Sequence, residues 1–322
     1  PALVVLLTGL LAVGVDLFLD RNASRMPLVV LSLVGLVVPG VWLVDRLRVG
    51  KRAIEAFGGS FVLDDMACFL SLAIIGATAL LMISAEVDTR RRQIAFGEYF
   101  GLLLISSSAM MMLVSSNDFL MIFLNLEILS LALYVLTGIT RKNPRANEAA
   151  VKYLVTGAFA TCFLLMGVAM LYGATGTIEL DAIGTWLARG GDSPLLHVGV
   201  GLVLVGFGFK IGAAPFHMWV PDVYEGAPTT TTAFMSVTVK AAGVGALVRV
   251  LLIALPTRPA LWADLLWWGA ALTMVGGNLL AIQQRSVKRM LAFSSIAHTG
   301  YALVALATMQ GTDGRFSTDG AG

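Results

Sequence analysis

The sequence predicts an all-α polytopic membrane protein, and three observations predict it. First, of 322 residues 57% are hydrophobic and only 13% charged, with a mean hydropathy of +0.85. A soluble domain carries about 25% charged residues, so this chain cannot cover itself with polar surface and needs lipid as solvent for much of its length. Second, the apolar residues gather into about ten runs near the ~20 residues that a bilayer-crossing helix requires. Third, ionisable side chains stand at the middle of several of these runs rather than at their ends.

The runs fall at 2–19, 27–44, 66–84, 98–116, 119–138, 150–172, 195–222, 229–252, 260–282 and 290–309. Polar punctuation separates most of them: "DRNASR" (20–25), "EVDTRRRQ" (86–93), "SSND" (115–118) and "TRKNPRANE" (140–148). Between the second and third runs, "AFGGSFVLDDM" (56–66) alternates around a Gly-Gly pair, which predicts a small surface hairpin. Between the sixth and seventh, "TIELDAIGTWLARGGD" (177–192) is apolar and polar at helical spacing, which predicts a short interfacial helix rather than a span. "GTDGRFSTDGAG" (311–322) reads as a loop-like tail.

Several classes of function are excluded. A net charge of +2 gives no electrostatic footprint for nucleic acid. Cys68 and Cys162 lie in separate apolar runs and cannot supply an iron–sulfur cluster, which takes four thiolates, or a zinc knuckle. Both are expected to be buried and inert. No soluble stretch is long enough for a nucleotide or flavin fold, so no redox cofactor and no metal is expected on this chain. The first residue is Pro1, and no cleavable signal is visible. The chain is therefore read as a trimmed or partial one.

Lysine and arginine in short loops set orientation. Arg21 and Arg25, Arg90 to Arg92, Arg141 with Lys142 and Arg145, and Arg285 with Lys288 and Arg289 follow odd-numbered spans. This pattern puts the N-terminus outside and the odd-numbered loops in the cytoplasm. The basic stretch "DRLRVGKR" (45–52) disagrees.

Within the spans, Glu127 centres the fifth, Lys240 the eighth and His298 the tenth, and Lys210 centres the seventh if that span runs from about 199 to 221. A midplane charge costs at least ~2.5–3.5 kcal/mol. Such a residue persists where it faces a bundle interior or a hydrated path. Alone, each can be a snorkelling side chain or a clip between helices. Together they use the residue types best suited to passing protons, since burial eases proton loss from lysine and opposes it from glutamate.

The seventh span carries a second anomaly. In "GFGFKIGAAPFHMWVPDVY" (206–224), Pro215 denies the helix a backbone donor shortly after Lys210. Broken helices in membranes are tolerated where loose backbone lines a cavity or ion path. Gly212, Ala213 and Ala214 allow close approach of another helix or water, and His217 follows. A break beside Lys210 is expected, with a packing kink as the plainer alternative.

The strings "LNLEILSLALYVLTG", "AAVKYLVTGAFATCFLLMGVAMLYGATGTI", "GFGFKIGAAPFHMWVPDVYEGAPT", "SVTVKAAGVGALVRV" and "RSVKRMLAFSSIAHTGY" together resemble the antiporter-like membrane subunits of respiratory complex I, the proton-translocating NADH–quinone oxidoreductases. The resemblance covers nearly the whole chain. It implies about fourteen transmembrane helices in members, with two inverted five-helix repeats that each contain a broken helix. Residues 1–97 would then be peripheral N-terminal helices and a surface hairpin, 98–255 the first antiporter-like repeat, and 256–322 the opening helices of a second, incomplete repeat. The second broken helix and its lysine lie beyond this sequence.

By the same resemblance, Glu127 matches the glutamate that pairs with the broken-helix lysine. Lys210 matches that lysine, Lys240 the connecting lysine of the next helix, and His298 the histidine of the central hydrophilic axis. Lys152 and His217 match secondary polar positions; for Lys152 an interfacial snorkelling role competes with a relay role. The implied activity is proton translocation across a bacterial inner membrane, coupled to quinone reduction elsewhere in the complex. The implied partners are other membrane-arm subunits, the bilayer and protons, with no nucleic acid. NADH, FMN, iron–sulfur clusters and quinone belong to the rest of the complex. Two alternatives stay open: a subunit of a multisubunit sodium–proton antiporter or membrane-bound hydrogenase, and a scaffold whose charges only clip helices.

Overall fold

The computed structural model of the chain describes residues 1–19, 25–50, 52–92 and 94–309, without the side chains of 90–92. Arg21, the Arg90 to Arg92 side chains and the 311–322 tail lie outside the described residues. Among the described residues, nine helices are long and apolar enough to cross a membrane, and the shorter apolar helix α1, Ala2–Phe18, accompanies them. An all-α polytopic architecture follows, because only helices and closed barrels satisfy every backbone group inside lipid.

After α1 come α2 (Met26–Val49), α3 (Asp65–Arg92), α4 (Phe96–Leu113), α5 (Phe119–Thr137) and α6 (Pro144–Thr175). The short α7 (Leu180–Ala188) precedes α8 (Pro194–Ile211) and α9 (Trp219–Gly226). The next span, Thr229–Ala254, is continuous but not uniform: α10 (Thr229–Phe234), a π turn at Met235–Val239, α11 (Lys240–Arg249) and a second π turn at Val250–Ala254. It is followed by α12 (Ala263–Ile282) and α13 (Val287–Ala307).

The chain divides into two compact units. The first comprises residues 1–116, 124–154 and 226–242. Within it α1 lies close against α4, and glycine permits the approach: a Cβ on Gly9 would stand 3.0 Å from the Leu104 Cβ and 3.1 Å from the Gly101 carbonyl. Hydroxyls fasten the same bundle. Ser108 Oγ donates to the Ala2 carbonyl at 2.8 Å, and the Thr78 and Ser107 hydroxyls meet at 3.0 Å.

The hairpin is present. β1 (Ile54–Ala56) pairs antiparallel with β2 (Phe61–Leu63), and Gly58 and Gly59 turn the chain at φ of 68° and 95°. It starts slightly before the expected 56–66. The Val62 amide donates to the Ser115 carbonyl at 2.8 Å, which ties the hairpin to the end of α4. Arg46, only 3% exposed, donates its guanidinium to the carbonyls of Leu63 and Arg52. One charge of the discordant basic stretch 45–52 is therefore committed to holding the hairpin.

The second unit comprises residues 117–123, 155–225 and those from 243 onward. The short helix expected within 177–192 is α7, anchored to the turn before α5. The Leu180 amide donates to the Asn117 carbonyl at 3.0 Å, and Asn117 Nδ2 donates to Asp181 Oδ2 at 2.7 Å.

Two expectations need correction. Cys68 is buried, but Cys162 is exposed, on the apolar outer side of α6 beside a cleft. A lipid-facing helix side is as apolar as a packed one, so hydrophobic neighbours do not imply burial. The seventh span also does not run helically to 222. It stops at Ile211, and Lys210 stands in its last turn rather than at its middle.

Candidate functional site

Helix α8 begins on Ser193, whose hydroxyl accepts from the Leu195 amide at 3.3 Å, with Pro194 in the first turn, where its missing N–H costs nothing. It ends because Gly212 adopts a left-handed conformation, φ 75° and ψ 39°. Lys210, 7% exposed, thus sits in the last turn of the helix, where the terminal carbonyls lack intrahelical partners. Residues 212–218 are non-helical, Ala214–Pro215 is a cis peptide bond, and the helical path resumes with α9 at Trp219.

A break inside a membrane exposes backbone groups that lipid cannot satisfy. Here the protein itself satisfies them. The Gly212 amide donates to the Phe209 carbonyl at 3.1 Å and the Ala213 amide to the Gly208 carbonyl at 2.8 Å. The Ala214 amide donates to Thr273 Oγ1 on α12 at 2.9 Å. Thr299 Oγ1 on α13 donates to the Ile211 carbonyl at 3.0 Å. Trp219 Nε1 reaches back across the break to the Phe209 carbonyl at 2.9 Å, its ring stacked on Phe209 with centroids 5.2 Å apart.

The far end of α9 is held by charge. Arg289 Nη1 lies 2.6 Å from Asp222 Oδ1 and 3.2 Å from Glu225 Oε2, while Lys288 Nζ donates to the Glu225 carbonyl at 3.1 Å. Helix α13 therefore grips the broken helix on both sides of its interruption, through Thr299 and through the Lys288–Arg289 pair. Gly243 on α11 meets the end of α8. A Cβ there would stand 2.9 Å from Ile211 Cγ2 and 3.8 Å from Lys210 Cγ.

Among the other expected site residues, His217 lies in the non-helical stretch, half-buried, with Nδ1 enclosed and lacking a hydrogen-bond partner among the described residues. His298 on α13 is exposed, with its ring edge-on to Tyr301 at 5.3 Å. It is the residue before Thr299, so the helix that carries it also holds the Ile211 carbonyl. In the second unit, then, Lys210, Pro215 and His217 lie at or beside the break, and α13, which carries the exposed His298, is hydrogen-bonded to it through Thr299.

In the first unit, Glu127 is half-buried on α5, within the field of the Tyr134 phenol, which bonds Ser130. Tyr134 stands edge-on to Tyr153 at 4.7 Å. Lys240 is the first residue of α11, directly after a π turn. Turns of this kind are frequent at functional sites. Lys152 lies well inside α6, which starts at Pro144, and pairs with Glu148 at 2.8 Å while both remain exposed.

Sequence reasoning missed Arg249, 1% exposed in the same span as Lys240. An arginine inside an apolar run was the available signal. It also missed Thr273 and Thr299, which carry none.

The sequence profile of one family, described as "NADH:quinone oxidoreductase/Mrp antiporter, TM", matches residues 116–317. The chain belongs to this family. Its membership accords with the resemblance carried by the strings above. Among curated relatives of this family member, the NADH-quinone oxidoreductase subunit N of Trichlorobacter lovleyi is 42% identical over 318 residues, covering 98% of this chain and 64% of that one. The protein of the same name from Myxococcus xanthus is 42% identical over 313 residues, covering 96% and 60%. The chain thus spans about three fifths of the length of these relatives.

Solved structures agree with the fold. A chain of respiratory complex I from Thermus thermophilus with bound aureothin superposes with TM-score 0.78 at 33% identity, covering 95% of this chain and 65% of that chain. A chain of the archaeal membrane-bound sulfane sulfur reductase gives TM-score 0.84 at 26% identity, covering 95% and 64%. A chain of the Mrp complex from Dietzia sp. gives 0.78 at 22% identity, covering 95% and 59%, and speaks to the fold alone.

Proposed function

We propose that this chain is a membrane-arm subunit of a proton-translocating NADH–quinone oxidoreductase in a bacterial inner membrane. The observation that carries the reading is the buried Lys210 ammonium at the last turn of α8, beside a helix break that the protein builds and holds. A membrane helix interrupted next to a buried cation supplies both a titratable group and backbone that need not be lipid-facing. The name borne by relatives at 42% identity supports the same reading.

In this reading Glu127 and Lys210 form a switchable pair, and the proton passes to Lys240 and then His298, with Lys152 and His217 in secondary roles. Separating two unit charges from about 4 Å to about 8 Å at an effective dielectric of ~20 changes their interaction by about 2 kcal/mol. That is enough to bias proton occupancy more than tenfold. This chain performs no redox chemistry. NADH, FMN, iron–sulfur clusters and quinone act in partner subunits, and coupling arrives through neighbouring membrane-arm subunits. Residues 98–255 serve as the first antiporter-like repeat and 256–322 as the start of a second.

The test is proton movement driven by NADH in membrane vesicles at equal complex content. Replacing Lys210 or Glu127 with Ala should lower it while the complex still assembles, with Glu127→Asp milder. Normal pumping by an assembled Glu127→Ala complex reduces the pair to a clip between helices. Transport that needs neither NADH nor quinone assigns the chain to a sodium–proton antiporter instead.

A further inference from the structure

At one end of the first unit, the C-terminal part of α3, the N-terminal part of α4 and the start of α10 come together through a run of polar side chains. Thr230 Oγ1 lies 3.4 Å from Asp88 Oδ2. The same hydroxyl lies 2.7 Å from the Tyr99 phenol, which in turn lies 3.3 Å from Thr231 Oγ1. Asp88 and Thr230 are half-buried, whereas Tyr99 and Thr231 are both 0% exposed. A carboxylate at a helix end thus leads, hydroxyl by hydroxyl, into fully buried protein. The span it enters is the one that carries Lys240.

We infer that Asp88 is the carboxylate through which this span takes up protons from water, with Thr230, Tyr99 and Thr231 as the first relay groups toward Lys240. The inference rests on the proton-translocation reading above and adds the uptake residue to it. Each of these hydroxyls is at once donor and acceptor. Asp88 accepts a proton from water and passes it to Thr230 Oγ1, which releases its own hydroxyl proton to Tyr99, and so on. One proton advances and every hydroxyl regains its composition. A methyl or phenyl group at any of these positions would break the sequence.

Two features of the span suit the continuation. From Thr231 to Lys240 the helix advances about 13 Å at ~1.5 Å per residue, a distance that a few waters cover. The π turn Met235–Val239 lies within that stretch, where the regular ladder of backbone bonds is interrupted. Alternation of spans also puts the end of α3, the start of α4 and the start of α10 on one membrane face. The basic stretch 86–93 marks that face as the cytoplasmic side by the loop-charge rule.

The decisive experiment uses the whole complex, reconstituted in liposomes and driven by NADH and a short-chain quinone. Membrane potential is read with an oxonol dye and normalised to NADH oxidised. Asp88→Asn keeps shape and hydrogen bonding but cannot carry the proton. It should lower charge moved per NADH as far as Lys240→Ala does. Asp88→Glu should retain it, and millimolar formate should restore at least half of the Asp88→Asn loss, since a small weak acid can stand in for a missing uptake carboxylate. Tyr99→Phe should show a loss that formate does not restore. Wild-type charge per NADH in Asp88→Asn, or a loss that neither Asp88→Glu nor formate repairs, overturns the inference while Lys240→Ala still lowers transport. If Lys240→Ala itself matches wild type, the translocation reading fails first.

Discussion

Thr299 Oγ1 stands 3.0 Å from the carbonyl of Ile211, the last residue of α8 and the neighbour of Lys210. The last carbonyls of any helix lack intrahelical partners, and in a bilayer water is not at hand to replace them. This hydroxyl therefore satisfies a carbonyl that the left-handed Gly212 leaves open at the end of α8.

Thr299→Val should loosen the break. Leaving a buried carbonyl unsatisfied costs about 1–3 kcal/mol, so amide hydrogen exchange across 212–218 should accelerate roughly five- to a hundredfold. Thr299→Ser, which keeps the hydroxyl, should exchange near the wild-type rate. Equal exchange in Val and wild type would show that the carbonyl has another adequate partner.

Thr273 acts on the other side of the interruption. Its hydroxyl donates to the Gly269 carbonyl at 2.5 Å and accepts from the Ala214 amide at 2.9 Å. Thr273→Val should speed exchange of the Ala214 amide selectively and leave amides in the middle of α8 unchanged. A uniform acceleration along α8 would point to general loss of packing instead.

Gly243 should tolerate little. An alanine Cβ would meet Ile211 Cγ2 at 2.9 Å, so Ile211 must shift before Gly243→Ala can pack. Overpacking of this kind typically costs about 1–3 kcal/mol. Charge moved per NADH should fall moderately in Gly243→Ala and severely in Gly243→Val, at equal complex content. Unchanged transport in the valine variant would free the end of α8 from any role in setting Lys210.

Lys240 separates relay from anchoring. Arginine keeps the charge but holds its proton far more tightly than lysine does, so it cannot release one during turnover. A relay role predicts that Lys240→Arg fails nearly as badly as Lys240→Ala in NADH-driven pumping. Full pumping with arginine would remove Lys240 from the path.

The spans were legible because lipid imposes long apolar runs, and the hairpin because Gly58 and Gly59 supply positive φ. The position of Lys210 within its helix was not. Ala213, Ala214 and Phe216 are as apolar as helix residues, so hydropathy runs straight through a stretch that has no helix. Thr273 and Thr299 were silent for a different reason. A threonine in an apolar helix ordinarily bonds the carbonyl four residues back, and both do so here, to Gly269 and to Ser295. That each also reaches the broken helix is a fact of tertiary packing, invisible in one dimension. Arg249 was the reverse case: an arginine in plain view inside a span, whose near-complete burial gives it weight.

The two π turns in Thr229–Ala254 have a geometric consequence for the lysine between them. Each admits one extra residue into a helical turn, so side chains on either side are out of phase by about 100°. The azimuth at which Lys240 leaves its helix is therefore set by an insertion and not by the spacing of apolar residues. A homologous span shorter by a single residue between Met235 and Val239 would keep its hydropathy and its length in the bilayer almost unaltered. Its lysine would nevertheless point about a quarter-turn away.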